Sequence, residues 1–212
     1  MNYPDMPKRP VIPRNAASLV LYEKRGNQIF LLMGKRAKGH KFLPNVFVFP
    51  GGRVDKADFT TPSRALLKAD TASHLSTPGD MAHALATAAV RETYEETGLV
   101  IGDLDGETLL PDLSNLSYIA RAITPAGNPI RFNTRFLMID AKHASGTLAG
   151  SGELINLQWF SIEDALQMPL VDVTEFVVRE VENRLSNEGN RPNVIPIFTY
   201  LNGKSFIRWH PH

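Results

Sequence analysis

Three carboxylates, Glu92, Glu95 and Glu96, lie near the middle of the chain at spacings of three, four and one residues. On a helix, residues three and four apart project from the same face. Like charges at these spacings destabilise a helix by roughly 0.2–0.5 kcal/mol per pair, so the cluster persists more easily beneath a positive group. Arg91 adjoins the cluster and can reach Glu95 at i+4. The donor type suits Mg²⁺ or Mn²⁺, which bind carboxylates together with substrate phosphates and water.

A solvated acidic helix face would contain the same three carboxylates, and such faces are common on protein surfaces. A second feature lies upstream, in residues 49–54, Phe-Pro-Gly-Gly-Arg-Val, where a glycine pair closes a β-rich run. Gly51 and Gly52 allow the backbone to come close to a ligand or an ion. Taken alone, the same pair is also typical of a plain tight turn.

The two features together resemble the signature of the Nudix hydrolases. The core of the resemblance is residues 91–99, Arg-Glu-Thr-Tyr-Glu-Glu-Thr-Gly-Leu, following the Gly51-Gly52 pair. It implies an α/β fold, an α/β/α sandwich with a mixed β-sheet and a catalytic helix. It also implies an enzyme that cleaves nucleoside diphosphates linked to another moiety. Thr93 departs from the pattern, because the family usually has an aliphatic residue there.

The resemblance also assigns roles. The family binds divalent metal on the helix, with a glycine-loop carbonyl as a further ligand, and its Arg orients the glutamates. A further glutamate often comes from a later loop or strand and binds metal or activates water; Glu153, after Gly150-Ser-Gly152, is the candidate here. The implied catalytic residues are Arg91, Glu92, Glu95, Glu96 and Glu153, and the implied metal ligands are Glu92, Glu95, Glu96 and Gly51.

The spacing of the motif departs from the family. Gly52 and Arg91 are 39 positions apart, so about 25 residues are inserted relative to the family pattern. Asp58 falls where the family's first Glu would lie at the usual spacing, and its role is left open. We expect the insertion, residues 56–77, to lie at the rim of the site and to influence substrate preference.

A second run resembles Nudix enzymes that cleave coenzyme A. Leu32, Arg36, Ala37 and residues 49–52 match that run, whereas Lys41 replaces an Arg and keeps only its charge. The implied substrates are coenzyme A or acyl-coenzyme A, giving 3′,5′-ADP and 4′-phosphopantetheine. The alternatives are ADP-ribose, NADH or another nucleotide diphosphate, a non-catalytic ligand-binding module of the same fold, and an interaction domain with an unused acidic face.

Candidate substrate contacts follow from these patterns. Arg131 and Arg135 lie at even spacing on a predicted strand and therefore on one face. They could clamp phosphates, or they could belong to a solvated or salt-bridged face. The full set of predicted substrate-binding residues is Arg36, Lys41, Arg131, Arg135, Gly51 and Gly52.

Hydrophobic patterning and turn residues predict the elements that hold these groups. An extended, proline-rich arm is predicted for residues 1–14, and Asn202-Gly203 predicts a C-terminal hairpin over 194–209. Strands are predicted at 16–22, 28–33, 45–49, 116–124, 131–140 and 153–160. Helices are predicted at 63–69, 78–97, 171–186 and after Ser161, with Thr77 and Asp80 capping the long one.

Bulk properties narrow the function classes. The length of 212 residues suits a single domain, and 43% hydrophobic with 21% charged residues is ordinary for a globular protein. The formal charge of +1 argues against general nucleic-acid or membrane binding, and the absence of Cys excludes thiol catalysis and cysteine-based zinc sites. We expect a cytoplasmic protein with a small nucleotide-type substrate. A homodimer is left open, because Nudix enzymes are often dimers but nothing in this sequence requires one.

Overall fold

The computed structural model describes residues 11–37, 45–76, 81–186, 194–201 and 203–210. Its strands in chain order are β1 Arg14–Arg25, β2 Gln28–Arg36, β3 Phe47–Val48, β4 Gly51–Arg53, β5 Gly102–Asp105, β6 Thr108–Pro111, β7 Ser117–Ile123, β8 Phe132–Asp140, β9 Leu154–Ser161, β10 Ile195–Leu201 and β11 Lys204–His210. Its α-helices are α1 Ala69–Leu75, α2 Ala82–Thr97, α3 Ile162–Gln167 and α4 Asp172–Ser186.

A nine-stranded mixed sheet forms the middle layer, with the order β11-β10-β7-β8-β1-β2-β3. Strand β1 pairs parallel with β8 and antiparallel with β2 and β4, and β9 pairs antiparallel with β2. Six successive residues of β1 are buried, which is typical of a central strand covered on both faces. The predicted 16–22/28–33 hairpin is confirmed as β1–β2, and β10 pairs antiparallel with β11 around Gly203.

Helices cover both faces of this sheet. On one face, the alanine-rich helix α2 packs Leu85 and Val90 against Leu19 and Leu137. On the other face, α4 packs its valines against residues of the opposite pleat, among them Met138. Since β-strand side chains alternate between faces, the neighbouring residues Leu137 and Met138 of β8 pack into the two different cores. The predicted α/β/α sandwich is therefore confirmed. No described helix combines the length and the apolar character needed to cross a membrane.

The secondary structure of the inserted segment differs from the prediction. Residues 63–69 do not form a helix; the helix of this segment is α1, Ala69–Leu75, and Leu75 is buried beside α2. Ala65 pairs with Asp112, which follows a β5–β6 hairpin absent from the predictions. Gly106, whose φ is 60° in the two-residue turn between Asp105 and Thr108, is the signal that could have identified it. The predicted capping residues of the long helix, 77–80, lie outside the described residues.

Candidate active site

Helix α2 and the glycine pair meet through two glutamates. The Gly51 N–H donates to Glu96 Oε2 at 2.8 Å. At Gly52 an added Cβ would lie 2.3 Å from the Glu92 carboxylate, so only glycine permits this approach of strand β4 to the helix. The helix ends at Gly98, whose φ of 74° is the left-handed conformation that glycine adopts at helix C-termini. The predicted proximity of the glycines and the carboxylates is thus present.

Arg91 connects the parts of this cluster. Its Nη1 donates to Glu92 at 3.0 Å and to Glu95 at 3.1 Å, and its Nη2 donates to the Arg53 carbonyl at 3.1 Å. Burial by itself lowers the pKa of Arg91, but the hydrogen bonds with Asp58 and the charges of Glu92, Asp58 and Glu95 outweigh burial and raise it. The guanidinium therefore holds two carboxylates of the helix and the glycine strand in fixed positions.

The role of Asp58, which the sequence left open, is visible in its contacts. It lies in a single 3₁₀ turn, is 0% exposed, and accepts from Arg91 Nε at 2.9 Å and from Nη2 at 3.1 Å. Its Oδ2 also accepts from the Asp55 N–H at 2.7 Å. This fork-to-fork pairing is the strong geometry for an arginine and a carboxylate. Asp58 thus orients Arg91, and the long insertion enters the chain after Asp58 rather than before it.

The predicted location of the insertion at the rim of the site is wrong. Among described residues 56–76, Asp58 is the one that joins the cluster, and none of them lines the adjoining cavity. The segment instead lies against α2 and the β5–β6 hairpin: Arg64 N–H donates to the Pro111 carbonyl, and Leu113 N–H to the Ala65 carbonyl. Its backbone hydrogen bonds and the burial of Leu75 make it part of the structural core.

The carboxylates of the cluster are partly buried and repel one another. The pKa of Glu96 is raised to about 8, mainly by burial and further by the charges of Glu92 and Glu153, against the opposing effects of Gly51 N–H and Arg36. Burial also raises the pKa of Glu92, against Arg91. A cation at this position would relieve both effects, because it would favour the ionised carboxylates.

The donor set fits a hard divalent cation by its chemistry. Carboxylate oxygens from α2 and the backbone oxygen of Gly51 are the ligands that Mg²⁺ and Mn²⁺ prefer. Within the described ranges, however, no three Asp, Glu or His side chains already converge into a complete ligand set. Glu92 and Glu95 are paired with Arg91, and Glu96 accepts from Gly51 N–H. Metal binding at these residues therefore requires their side chains to exchange partners.

Arg36 and Glu153 both line the cavity, and the charges of Glu96 and Glu153 act on Arg36. Burial lowers the pKa of Arg36, and the nearby charges of Glu96 and Glu153 oppose that effect. The Glu153 carbonyl accepts from the Ala37 N–H at 3.2 Å, which fixes the loop beside the end of β2. The preceding loop is also held, because Ala149 N–H donates to the Thr97 carbonyl at 2.7 Å. The Gly150-Ser-Gly152 run that leads to Glu153 is thus anchored to the end of α2.

Thr93, the departure within the motif, is accommodated by the helix itself. Its side chain is 0% exposed and its hydroxyl donates to the Ala89 carbonyl at 2.8 Å. A buried hydroxyl without a partner would be costly, whereas this local bond satisfies it. The polar residue therefore occupies an aliphatic position without leaving a polar atom unsatisfied.

A cavity of about 750 Å³ opens from the carboxylate cluster. Its charged end is lined by Arg36, Arg53, Arg91 and the glutamates, and its other end by apolar and aromatic side chains. Sequence reasoning missed the second end. The residues that it missed there are Phe132, Phe136, Asp172, Phe198 and Tyr200. The aromatic residues of strand β10 were visible as part of a hairpin, but nothing local connects them to residues a hundred positions earlier.

The structure does not place Arg131 and Arg135, predicted as candidate phosphate contacts, at the cavity. Arg135 is 1% exposed and donates to Asn15 Oδ1 at 2.9 Å and to the Asn133 carbonyl at 3.0 Å. Burial, with the charge of Arg121, lowers its pKa to about 10. Arg131 donates to the Thr124 and Val11 carbonyls, and neither arginine lines the cavity. Lys41 lies outside the described residues.

Comparisons with known proteins find a family and relatives that this chain resembles. The model of the NUDIX domain matches residues 12–180. "Putative nudix hydrolase 7" of Caenorhabditis elegans is 29% identical over 151 residues, an alignment that covers 59% of this chain but only 44% of that protein.

The solved structures that resemble this chain include Nudix hydrolases as well. A NUDIX hydrolase from Alicyclobacillus acidocaldarius has a TM-score of 0.62 and 28% identity, covering 85% of this chain and 99% of its own. The NUDIX domain of Shewanella oneidensis NrtR, complexed with ADP ribose, has a TM-score of 0.52 at 16% identity, covering 87% and 94%; this likeness shows the fold alone. Because the matched domain spans most of the 212 residues and contains the Gly51–Gly52 strand and the α2 carboxylates, the chain belongs to the Nudix hydrolase family.

Proposed function

We propose that this protein hydrolyses a nucleoside diphosphate linked to a second moiety, with coenzyme A or an acyl-coenzyme A as the first candidate. The observation that carries the proposal is the position of the α2 carboxylates, held by Arg91 and the glycine pair, at the charged end of a 750 Å³ cavity. In the reaction, water supplies the new oxygen on one phosphate and the bridging oxygen leaves with the other. The products are 3′,5′-ADP and (acyl-)4′-phosphopantetheine.

The cofactor in this proposal is Mg²⁺ or Mn²⁺. Glu92, Glu95, Glu96 and the Gly51 carbonyl would hold it, since these residues line the charged end of the cavity and supply hard oxygen donors. When bound, such an ion neutralises diphosphate charge and lowers the pKa of water that it carries. The negative charge of the cluster supports this proposal, because a cation bound there would reduce the repulsion between the glutamates and an anionic diphosphate.

The chain's own groups then position the reactants. Arg91, fixed by Asp58, keeps the glutamates oriented, and Arg36 offers a cation near the cluster to a phosphate oxygen. Glu153 is the proposed general base, because it lines the cavity and its charge reaches both Glu92 and Glu96. Positioning and electrostatic stabilisation would supply most of the rate enhancement, as expected for transfer of an anionic phosphoryl group.

Two observations make coenzyme A the first candidate substrate. Arg36, Phe49, Gly51 and Gly52, which belong to the run that resembles coenzyme A-cleaving Nudix enzymes, all line the cavity. The cavity also has an extensive apolar end that a small sugar would leave unfilled. ADP-ribose is the second candidate, because the structurally similar NrtR domain is complexed with ADP ribose.

A substrate panel tests the proposal directly. Purified protein would be incubated with Mg²⁺ or Mn²⁺ and with coenzyme A, acyl-coenzyme A, ADP-ribose, NADH, dinucleoside polyphosphates or oxidised nucleoside triphosphates, and the products identified by mass. We expect 3′,5′-ADP and 4′-phosphopantetheine from coenzyme A. Cleavage of ADP-ribose without any action on coenzyme A or its esters would transfer the proposal to the second candidate.

A further inference from the structure

The floor of the cavity is one continuous row of residues across five strands. The register pairs Arg53 of β4 with Ala16 of β1, Ala16 with Thr134 of β8, Thr134 with Ala122 of β7, and Ala122 with Phe198 of β10. All five line the cavity. Four strand spacings of about 4.8 Å place the two ends of this row roughly 19 Å apart. Small side chains in the middle leave a channel between the glycine strand and the C-terminal hairpin.

Charge is distributed unequally along this channel. Of the described residues that line it, the cations are Arg36, Arg53 and Arg91, and all belong to elements around the carboxylate cluster. The charged lining residue at the opposite end is Asp172, a carboxylate at the start of α4. A phosphate group at that end would meet a like charge and no arginine or lysine among the described lining residues. The far end therefore suits an uncharged group.

Aromatic side chains build that far end and contact one another. Phe198 is 6% exposed, stacks on Phe176 with ring centres 5.1 Å apart and meets the edge of Tyr200 at 5.5 Å. The Tyr200 hydroxyl donates to both carboxylate oxygens of Asp172 at 2.8 Å, which ties β10 to α4. The predicted C-terminal hairpin had no functional assignment from the sequence; its first strand supplies this wall.

We propose that the channel from Ala16 to Phe198 binds the uncharged pantetheine arm of the substrate, with the thiol or its acyl group against Phe198 and Tyr200. This inference rests on the proposed function, and it assigns an orientation: the phosphorylated adenosine half lies on the side of the arginines. The dimensions agree, since a pantetheine arm is about as long as four extended residues, or roughly 15 Å. A nucleoside, one sugar and one ring system, is shorter than the channel.

The acyl-chain dependence of the wild-type enzyme is the first test. If the acyl group enters the apolar end, KM should fall as the chain lengthens from acetyl to hexanoyl, by about fourfold for each methylene that becomes buried. A KM that is the same for all chain lengths would place the acyl group in solvent and overturn the inference. This measurement needs no variant and so does not depend on the folding of one.

The second test compares Phe198→Leu with Phe206→Leu, a matched change in β11 outside the cavity lining. We expect Phe198→Leu to raise KM for hexanoyl-coenzyme A about tenfold with little change in kcat, and to leave KM unchanged for the β-methyl ester of ADP, which lacks the arm. Phe206→Leu should change neither value. Equal increases for both substrates would show that the nucleoside occupies the aromatic end and would overturn the inference.

The two proposals fail in different ways. Absence of coenzyme A hydrolysis by wild-type enzyme, with cleavage of ADP-ribose, would refute the proposed substrate itself and the inference with it. Hydrolysis of coenzyme A with a KM unaffected by Phe198→Leu would leave the proposed function intact and reject the arm-binding channel alone.

Discussion

Replacing Glu96 with Gln should stabilise the metal-free protein at alkaline pH. Glu96 is 7% exposed, and burial together with the charge of Glu92 raises its pKa from 4.5 to about 8. Above that pH the folded protein carries a charge that its surroundings disfavour. Gln has the same shape and retains a carbonyl oxygen that can accept from Gly51 N–H, but it does not ionise.

The sign and size follow from linkage. Between the unfolded and folded pKa values the folded state holds one proton more than the unfolded state, so stability falls as pH rises from about 5 to 8. At about 1.4 kcal/mol per pKa unit, the shift from 4.5 to about 8 sets an upper limit on the order of 5 kcal/mol. We expect Gln to recover about 1–3 kcal/mol of this at pH 8.5, equivalent to a Tm increase of roughly 3–10 °C for a domain of this size. Near pH 5 the gain should vanish, because wild-type Glu96 is then protonated.

Thermal unfolding in EDTA at pH 5.0, 7.0 and 8.5 measures this effect. Glu95→Gln is the control, because the Glu95 side chain is 53% exposed and lies on the same helix; it should show no gain that grows with pH. Adding Mn²⁺ should raise Tm of the wild type more than that of Glu96→Gln. If Glu96→Gln lowers Tm equally at all three pH values, the carboxylate is not disfavoured by its surroundings and the electrostatic account of the site is mistaken.

Three further substitutions test other parts of the site. Asp58→Asn should lower kcat at least tenfold and reduce stability by about 3–5 kcal/mol, because it breaks a buried pair with Arg91; unchanged kinetics and melting would contradict the positioning role. Glu153→Gln should lower kcat more than it changes KM; a kcat within about threefold of wild type, under roughly 1 kcal/mol, would exclude Glu153 as the base. Gly52→Ala should abolish most turnover at nearly unchanged Tm, since its Cβ would displace the Glu92 carboxylate; normal activity would show that this approach is unnecessary.

Much of the site could be predicted because its motif residues are local. Residues 91–97 form the last turns of α2, and a helix places residues three and four apart on one face whatever the rest of the fold does. Gly98 ends that helix for a reason that is also local, the left-handed backbone that glycine adopts readily. The pairing of Gly51 with Glu96 needed the family resemblance, because 45 positions separate them.

The errors concern which side of the sheet a residue faces. Strand periodicity correctly groups residues at even spacing, but it does not tell which group faces the cavity. Thr134 and Phe136 face it, so Arg135 between them points to the opposite side and is buried with Asn15. A large buried guanidinium is rare, and its role here in joining β8 to β1 has no signature in the local sequence.

The aromatic end of the cavity could not be predicted for a related reason. Phe198 is placed beside Ala122 by parallel pairing of β10 with β7 across 76 positions of chain. Such pairing depends on the packing of α4 beneath both strands, which no turn or periodicity in either strand specifies. A hairpin was readable from Asn202-Gly203, but its position on the sheet, and hence its contribution to the cavity, was not.

The position of the insertion explains how a motif split by so many residues still forms one site. Asp58 precedes the inserted segment, and its two hydrogen bonds to Arg91 join the glycine strand to α2 directly. The segment between them therefore does not have to hold the site together, and lengthening such a loop costs only about 0.6 kcal/mol per doubling. It is instead free to pack Leu75 against the back of α2 and to pair Ala65 with Asp112. Shortening it should consequently reduce stability more than it alters substrate preference, the reverse of what its place between the two halves of the motif suggests.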